Sequence, residues 1–395
     1  MIRFAVHDLF VVGALILAGT LAGRLLGRIR FPTVTSYMLL GLLVGPSALG
    51  VLTEGVIGEL QIVLDIALGL IMFHVGGQLD FGRRGRERIR LALRLGGIEC
   101  LLTWALVLAV LLAVGAPLEL ALPAAAITCS SSPAVILLVV RQFGTKGPVT
   151  DGLLSASAAN NAISFLLFVL ALPYLHAQGG ASHTAVFVHP LYLLSGSVLL
   201  GGLLGAGLGW LENRFPERDH FLLRIGVVLI AIGGARSLGL SPLATALAVG
   251  SGAVTLAKQR RTVTEFGRAE QPFFVLLFVL AGANLHLGDL IEAGLFGLAL
   301  VVARIVAKVA GGFLGGASAG YPPKTAAWLG IGLTPMAGMA IGLTTLLTQL
   351  HPDLGGRVAS LVLGAVAVFE AIGPPLTELA MIRTGEIEAG KSAGH

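Results

Sequence analysis

Apolar residues run along this chain in long blocks, broken by glycine, proline and clusters of charge, with almost no apolar/polar alternation. A helix that crosses a membrane needs about 20 mainly apolar residues, because roughly 30 Å of hydrocarbon is covered at about 1.5 Å per residue. Thirteen segments meet that description, at approximately 8–26, 32–50, 58–78, 91–114, 118–141, 150–175, 189–211, 221–236, 239–257, 270–287, 290–316, 324–349 and 356–382. The eighth and ninth are divided only by Ala235–Gly239. The strands of a membrane barrel would alternate over about ten positions, and no such stretch occurs. The predicted fold class is an all-α polytopic membrane protein, a single transmembrane domain over 1–395.

The basic residues test the count. Of 26 Lys and Arg, nineteen fall on one side of the predicted topology, including Arg24, Arg28, Arg30, Arg83, Arg84, Arg141 and Arg214. Only Arg3, Arg236 and Arg357 fall on the other, and Arg94, Arg224, Arg304 and Lys308 lie within segments. One miscounted helix would mix the two sets. By the positive-inside rule the N-terminus is outside and the C-terminus cytoplasmic, and the predicted location is the cell inner (plasma) membrane. The first segment has the length of a signal-peptide core, but Arg24, Arg28 and Arg30 directly behind it read as a stop signal, so it is expected to be retained. The tail, 383–395, is short and polar.

Two segments carry an interruption in mid-membrane: Thr128-Cys129-Ser130-Ser131-Ser132-Pro133 in the fifth and Gly332-Leu333-Thr334-Pro335-Met336-Ala337-Gly338 in the twelfth. Proline removes a backbone donor, and hydroxyls can satisfy the freed groups. The breaks lie seven segments apart, so their helices run in opposite directions. That is the arithmetic of two inverted repeats, about 8–175 and about 221–382, joined by a linker helix at about 189–211. Paired broken helices in such halves point to a transporter's substrate site.

Composition sharpens this. The chain is 55% hydrophobic and 12% charged, against about 25% charged in soluble proteins, which excludes a soluble or disordered protein and a nucleic-acid partner. The net charge of +5 reflects the cytoplasmic loops and calls for no acidic partner. Cys100 and Cys129 make neither a disulfide framework nor a metal cluster, and the spacing of His176, His183 and His189 does not suit zinc. Gly201, Gly205 and Gly209 form a small-residue face for close helix packing. No cofactor is implied, and no catalytic constellation suggests an enzyme.

The polar residues near the breaks are the candidate site: Thr128, Ser131 and Ser132, then Asn160 and Asn161 in the sixth segment, and Thr334 in the twelfth. In the eleventh, Arg304 and Lys308 share one helix face by their spacing of four. A charge at the bilayer centre costs roughly 2.5–3.5 kcal/mol and marks a functional candidate, with snorkelling to an interface as the alternative.

Several motifs resemble those of monovalent cation/proton antiporters, in the Kef-type and bacterial sodium/proton exchanger branch. They are Phe31-Pro32-Thr33-Val34-Thr35-Ser36-Tyr37 continuing to Gly45-Pro46, then Ser131-Ser132-Pro133-Ala134-Val135, Phe273 to Leu285, Ala303-Arg304-Ile305-Val306-Ala307-Lys308, and Glu370-Ala371-Ile372-Gly373-Pro374-Pro375. The resemblance covers nearly the whole chain in order. It implies a thirteen-helix homodimer in the lipid bilayer, with a core that moves like an elevator and exchanges Na+ or K+ for protons. It also implies an ion-binding aspartate where this chain has Asn161, preceded by Asn160. Asparagine coordinates a cation through its carbonyl oxygen but does not titrate. Arg304 and Lys308 are therefore expected without their usual acidic partner, as charge-compensating or proton-carrying groups. The alternative acids are Asp65, Glu99 and Glu370, with Glu292 a further intramembrane carboxylate. Glu99 could pair with Arg94 or another helix, Asp65 and His74 could form a polar stripe, and Glu370 falls at a position that reads as structural in that family. No acid is an obvious replacement, and a buried lysine can itself carry a proton. Two other readings stay open: transport of a small anion or organic acid by Arg304 and Lys308, and a non-transporting sensor on the same scaffold.

Overall fold

The computed structural model describes residues 8–27, 33–77, 86–178, 183–256, 271–283 and 294–387. Among them the structure is helical throughout. The chain begins with α1 (Asp8–Gly27), α2 (Thr33–Val44), the short α3 (Glu54–Glu59) and α4 (Gln61–Gly76). Next come α5 (Arg86–Leu91), a π-helical turn (Ala92–Gly97) and α6 (Ile98–Ala113), which together form one rod. The first broken pair is α7 (Leu118–Thr128) with α8 (Pro133–Phe143), followed by α9 (Pro148–Gln178), α10 (His183–Glu212), α11 (His220–Ser237), α12 (Pro242–Leu256) and α13 (Gln271–Ala283). The last four are α14 (Gly294–Ser318), the second broken pair α15 (Pro323–Gly332) and α16 (Gly338–Leu350), and α17 (Pro352–Arg383).

Each of the thirteen expected segments coincides with one helix, one rod or one broken pair. Eight described stretches, with the rod and the first broken pair each taken as one, are long and apolar enough to cross a membrane, and the rest of the segments are shorter apolar helices. The narrow division at Ala235–Gly239 is real: α11 ends at Ser237, Gly239 turns the chain at φ +63°, and α12 starts at Pro242.

Helix surfaces are inverted relative to a soluble protein. On α14, Leu295, Leu298, Val302 and Val306 face outward, while Ala303, Arg304, Ala307 and Lys308 are buried. Snorkelling is thereby overturned for both cations, whose side chains have no exposed surface. Packing follows small residues. Side chains added at Gly201 and Gly205 of α10 would collide with the α12 backbone at Thr245 and Val249. Two groups of helices emerge. One joins α10 to α12, α12 to α4 and α13 to α2, and the other joins α14 to α6 and α15, and α16 to α17. The second group holds the second break, and α7, which leads into the first, packs on its α6 and α17. The side chains of His176, His183 and His189, together with Asn284, Glu292 and the end of the tail, lie outside the described residues.

Candidate functional site: two crossed breaks around a buried ion pair

Why the breaks hold together follows from backbone accounting. A helix end leaves carbonyls without partners, and in hydrocarbon each such group costs several kcal/mol. At the first break the hydroxyl of Ser132 accepts from the Val135 amide and caps α8 (3.4 Å). The two breaks then satisfy each other. The Ser132 amide donates to the Pro335 carbonyl (2.7 Å), and the Ser131 hydroxyl donates to the Leu333 carbonyl (2.8 Å). From α17, Thr377 donates to the Gly332 carbonyl (3.1 Å). The hydroxyls of Thr128 and Thr334 turn back on their own helices, to the Ala124 and Ile331 carbonyls, both at 2.7 Å.

Arg304 completes the set. Its guanidinium donates to the Thr128 carbonyl (2.6 Å), the Ser130 carbonyl (2.8 Å) and the Thr334 carbonyl (2.7 Å). A cation at a helix C-terminus is favoured by the dipole, and here one guanidinium serves the ends of both α7 and α15. The Phe369 ring lies against its face, 4.2 Å from ring centre to guanidinium carbon, a cation–π contact strengthened by dry surroundings. Arg304 thus works as the clamp of the crossing.

Lys308, one turn on, has a carboxylate partner. Its ammonium lies 3.0 Å from Glu99 Oε1 and 3.2 Å from Oε2, and also donates to the Cys129 carbonyl (3.0 Å) and the Ser131 hydroxyl (2.9 Å). No acid reaches Lys308 from the sixth segment; of the three alternative acids it is Glu99, on α6, that meets it. Glu99 receives the Thr103 hydroxyl on Oε1 (2.8 Å) and the Asn160 amide on Oε2 (2.5 Å). Asn160 also donates to the Ser131 hydroxyl (3.0 Å). Both members of the pair are fully buried. Glycine makes the approach possible, because a Cβ built on Gly311 would stand 2.8 Å from Glu99 Cα. Side chains at Gly312 and Gly330 would meet the facing backbones of α15 and α14.

The remaining candidates divide. Asn161 is fully buried, and among the described residues neither atom of its amide has a hydrogen-bond partner, nor does Asn160 Oδ1. Asn160 Oδ1 belongs to the amide that donates to Glu99, and Asn161 is the next residue of α9. Glu370 is also fully buried, with no partner on either oxygen among the described residues. Asp65 is elsewhere: it forms an ion pair with Arg236 of α11, beside a cavity of about 670 Å³ lined also by Ile341, Leu346 and Leu350. His74, on the same helix as Asp65, bonds the Leu70 carbonyl (2.7 Å). Glu99 does not pair with Arg94, which is exposed. Among the described residues no group of three His, Cys, Asp or Glu could hold a resident metal.

The family model described as "Sodium/hydrogen exchanger, transmembrane" matches residues 12–380. The chain is similar to K(+) efflux antiporter 6 of Arabidopsis thaliana, 25% identical over 92% of this chain and 61% of that protein. It therefore spans less than two thirds of the plant protein's length. It also resembles the ammonium/H(+) antiporter subunit AmhT of Alkalihalophilus pseudofirmus, 24% identical over 93% of this chain and 90% of that one. The Na(+)/H(+)-K(+) antiporter GerN of Bacillus cereus is 23% identical over 84% of this chain and 86% of that one. The fold is that of the sodium proton antiporter MjNhaP1 from Methanocaldococcus jannaschii, with a TM-score of 0.67 over 95% of both chains at 17% identity.

Proposed function

Because the chain belongs to the sodium/hydrogen exchanger transmembrane family, we propose that it exchanges a monovalent cation for protons, with the Glu99–Lys308 pair as the switch. The observation that carries this reading is the single carboxylate that meets Lys308 beneath the crossed breaks. The ammonium of Lys308 occupies a cage of acceptors: Glu99, the Cys129 carbonyl and the Ser131 hydroxyl. A dehydrated cation needs the same oxygens. Deprotonation of Lys308 vacates them, and a bound cation restores the lost positive charge beside Glu99. The pair with its ammonium and the pair with a neutral amine plus a cation carry the same net charge, so this switch passes one proton per cation. Asn160 and Asn161 supply neutral carbonyl oxygens, and the hydroxyls of Thr128, Ser132 and Thr334 hold the breaks.

Na+ and K+ are the cations of this reading. Ammonium is a third, since the cage already holds an alkylammonium head. The anion reading loses its support, because the cations it needs are taken up by carbonyls and by Glu99. A sensor without transport would have no use for a charge pair of this kind at the crossing. Alternating access would be an elevator movement of the helices that hold the breaks against the group built on α4, α10 and α12, in a homodimer of the inner membrane with the C-terminus in the cytoplasm.

The test is a pH-gradient dye in proteoliposomes. Added Na+, K+ or ammonium should dissipate the gradient with the wild type and fail to do so with Glu99→Gln. No response to any cation between about pH 6 and 9, where lysine or histidine can titrate in a buried site, would overturn the reading. So would an unchanged response in Glu99→Gln.

A further inference from the structure

Glu370 has no place in the switch just described, yet it is the least expected group in the core. Its side chain is fully buried in α17, and among the described residues neither carboxyl oxygen has a hydrogen-bond partner. A bare carboxylate cannot keep its charge away from water without donors or a counter-ion, so this side chain holds a proton in the conformation seen here. The helices packed on α17 are α2, α7, α8, α14, α15 and α16. Their charged residues are few: Glu119, Arg141 and Lys324 lie in the terminal turns of α7, α8 and α15, and α2 offers only Tyr37 as a titratable group. Near mid-helix the charges are Arg304, Lys308 and, through Lys308, Glu99 of α6. All three are engaged with one another or with carbonyls. On α17 itself, Asp353, Arg357, Glu378 and Arg383 are two turns or more away.

The position couples Glu370 to the site. Glu370, Gly373 and Thr377 recur at intervals of three and four and share one helix face. A Cβ on Gly373 would lie 2.8 Å from Pro335 Cα, and Thr377 bonds the Gly332 carbonyl. This face therefore rests on the second break. The residue before Glu370 is Phe369, whose ring supports the Arg304 clamp. Any movement of the breaks relative to α17 changes the surroundings of Glu370.

We propose that Glu370 is a second proton carrier. It keeps a proton on its carboxyl in this conformation and releases it to water when the second break rearranges, so that each cation is exchanged for two protons, one from Lys308 and one from Glu370. The proposal rests on the exchange reading and adds its stoichiometry. Exchange becomes electrogenic, with one net positive charge moved against the cation in each cycle.

The experiment measures the cation gradient that nulls proton flux in proteoliposomes clamped at zero membrane potential. A tenfold proton gradient is balanced by a cation gradient of about tenfold for one proton per cation, and about a hundredfold for two. The wild type should balance at a hundredfold, and Glu370→Gln, which keeps the shape of the protonated acid, should still exchange but balance at tenfold. Glu370→Met, also neutral, should give the same ratio. A tenfold balance in the wild type, or a hundredfold balance in either variant, overturns the proposal and leaves the Glu99–Lys308 switch standing. Absence of any exchange in the wild type overturns the switch and this proposal together. A readout without a variant is the infrared band of a protonated carboxyl in purified wild type at neutral pH, and its absence also overturns the proposal.

Discussion

Glu99 and Glu370 are both carboxyl side chains with no exposed surface, on neighbouring sides of the same crossing, and they could hardly be treated more differently. Glu99 is met by an ammonium, an amide and a hydroxyl. Glu370 is met by none of these. Donors and a counter-charge favour the anion of a buried acid, while burial without either favours the neutral form. The exchange and proton-carrier proposals both rest on this difference in where the fold places donors.

The widest separation between them should appear in stability. Glu99→Gln leaves the Lys308 ammonium buried without its counter-charge, and breaking a buried pair from one side costs about 3–5 kcal/mol. Glu370→Gln replaces a neutral group by a neutral group of the same shape and should leave the melting temperature in detergent unchanged. Equal losses in the two variants would dissolve the contrast. A reciprocal exchange sharpens it. In Glu99→Gln combined with Asn160→Asp, the carboxylate crosses one hydrogen bond and remains beside Ser131, so most of the stability and measurable cation exchange should return. If the double variant is no better than Glu99→Gln alone, the position of the carboxylate and not merely its charge is decisive.

Smaller effects follow from packing and coordination. Gly311→Ala forces α14 away from the Glu99 backbone, an overpacking of about 1–3 kcal/mol, and should slow exchange more than Glu370→Gln does. A small change in stability is also expected from Asn161→Ala. No hydrogen bond is lost there, so stability should shift by less than about 1 kcal/mol, while the cation concentration for half-maximal exchange rises. A normal cation dependence in that variant would remove Asn161 from the ligand set.

Much of the architecture was legible because the bilayer allows few solutions. Helix length, the bias of Arg24, Arg83 and Arg214 toward one side, and two prolines in opposed segments lead to thirteen helical segments and a crossing, and the helices follow them. Of the residues gathered at the crossing, Ser131, Asn160, Arg304 and Lys308 were legible as candidates. Glu99 was visible as an acid but not as the partner of Lys308, for two local reasons. The π turn at Ala92–Gly97 stands immediately before it. Such a turn inserts one residue and rotates the following helix by about 100°, so the face bearing Glu99 cannot be read by counting from the loop. The glycines at 311 and 312, which admit α6 and α15 to α14, read equally well as generic packing. Glu370 was hidden for a different reason: a missing partner is a property of the whole surroundings and leaves no trace in a sequence motif.

The central claim is that the carboxylate which couples cation to proton sits on α6 and not on α9. It is tested most directly by adding Na+ or K+ to purified protein in weakly buffered detergent solution and following proton release with an indicator dye. Wild type should release protons on cation binding, and Glu99→Gln should release none while Asn161→Ala still does so at higher cation concentration. Proton release that persists undiminished in Glu99→Gln would contradict the claim.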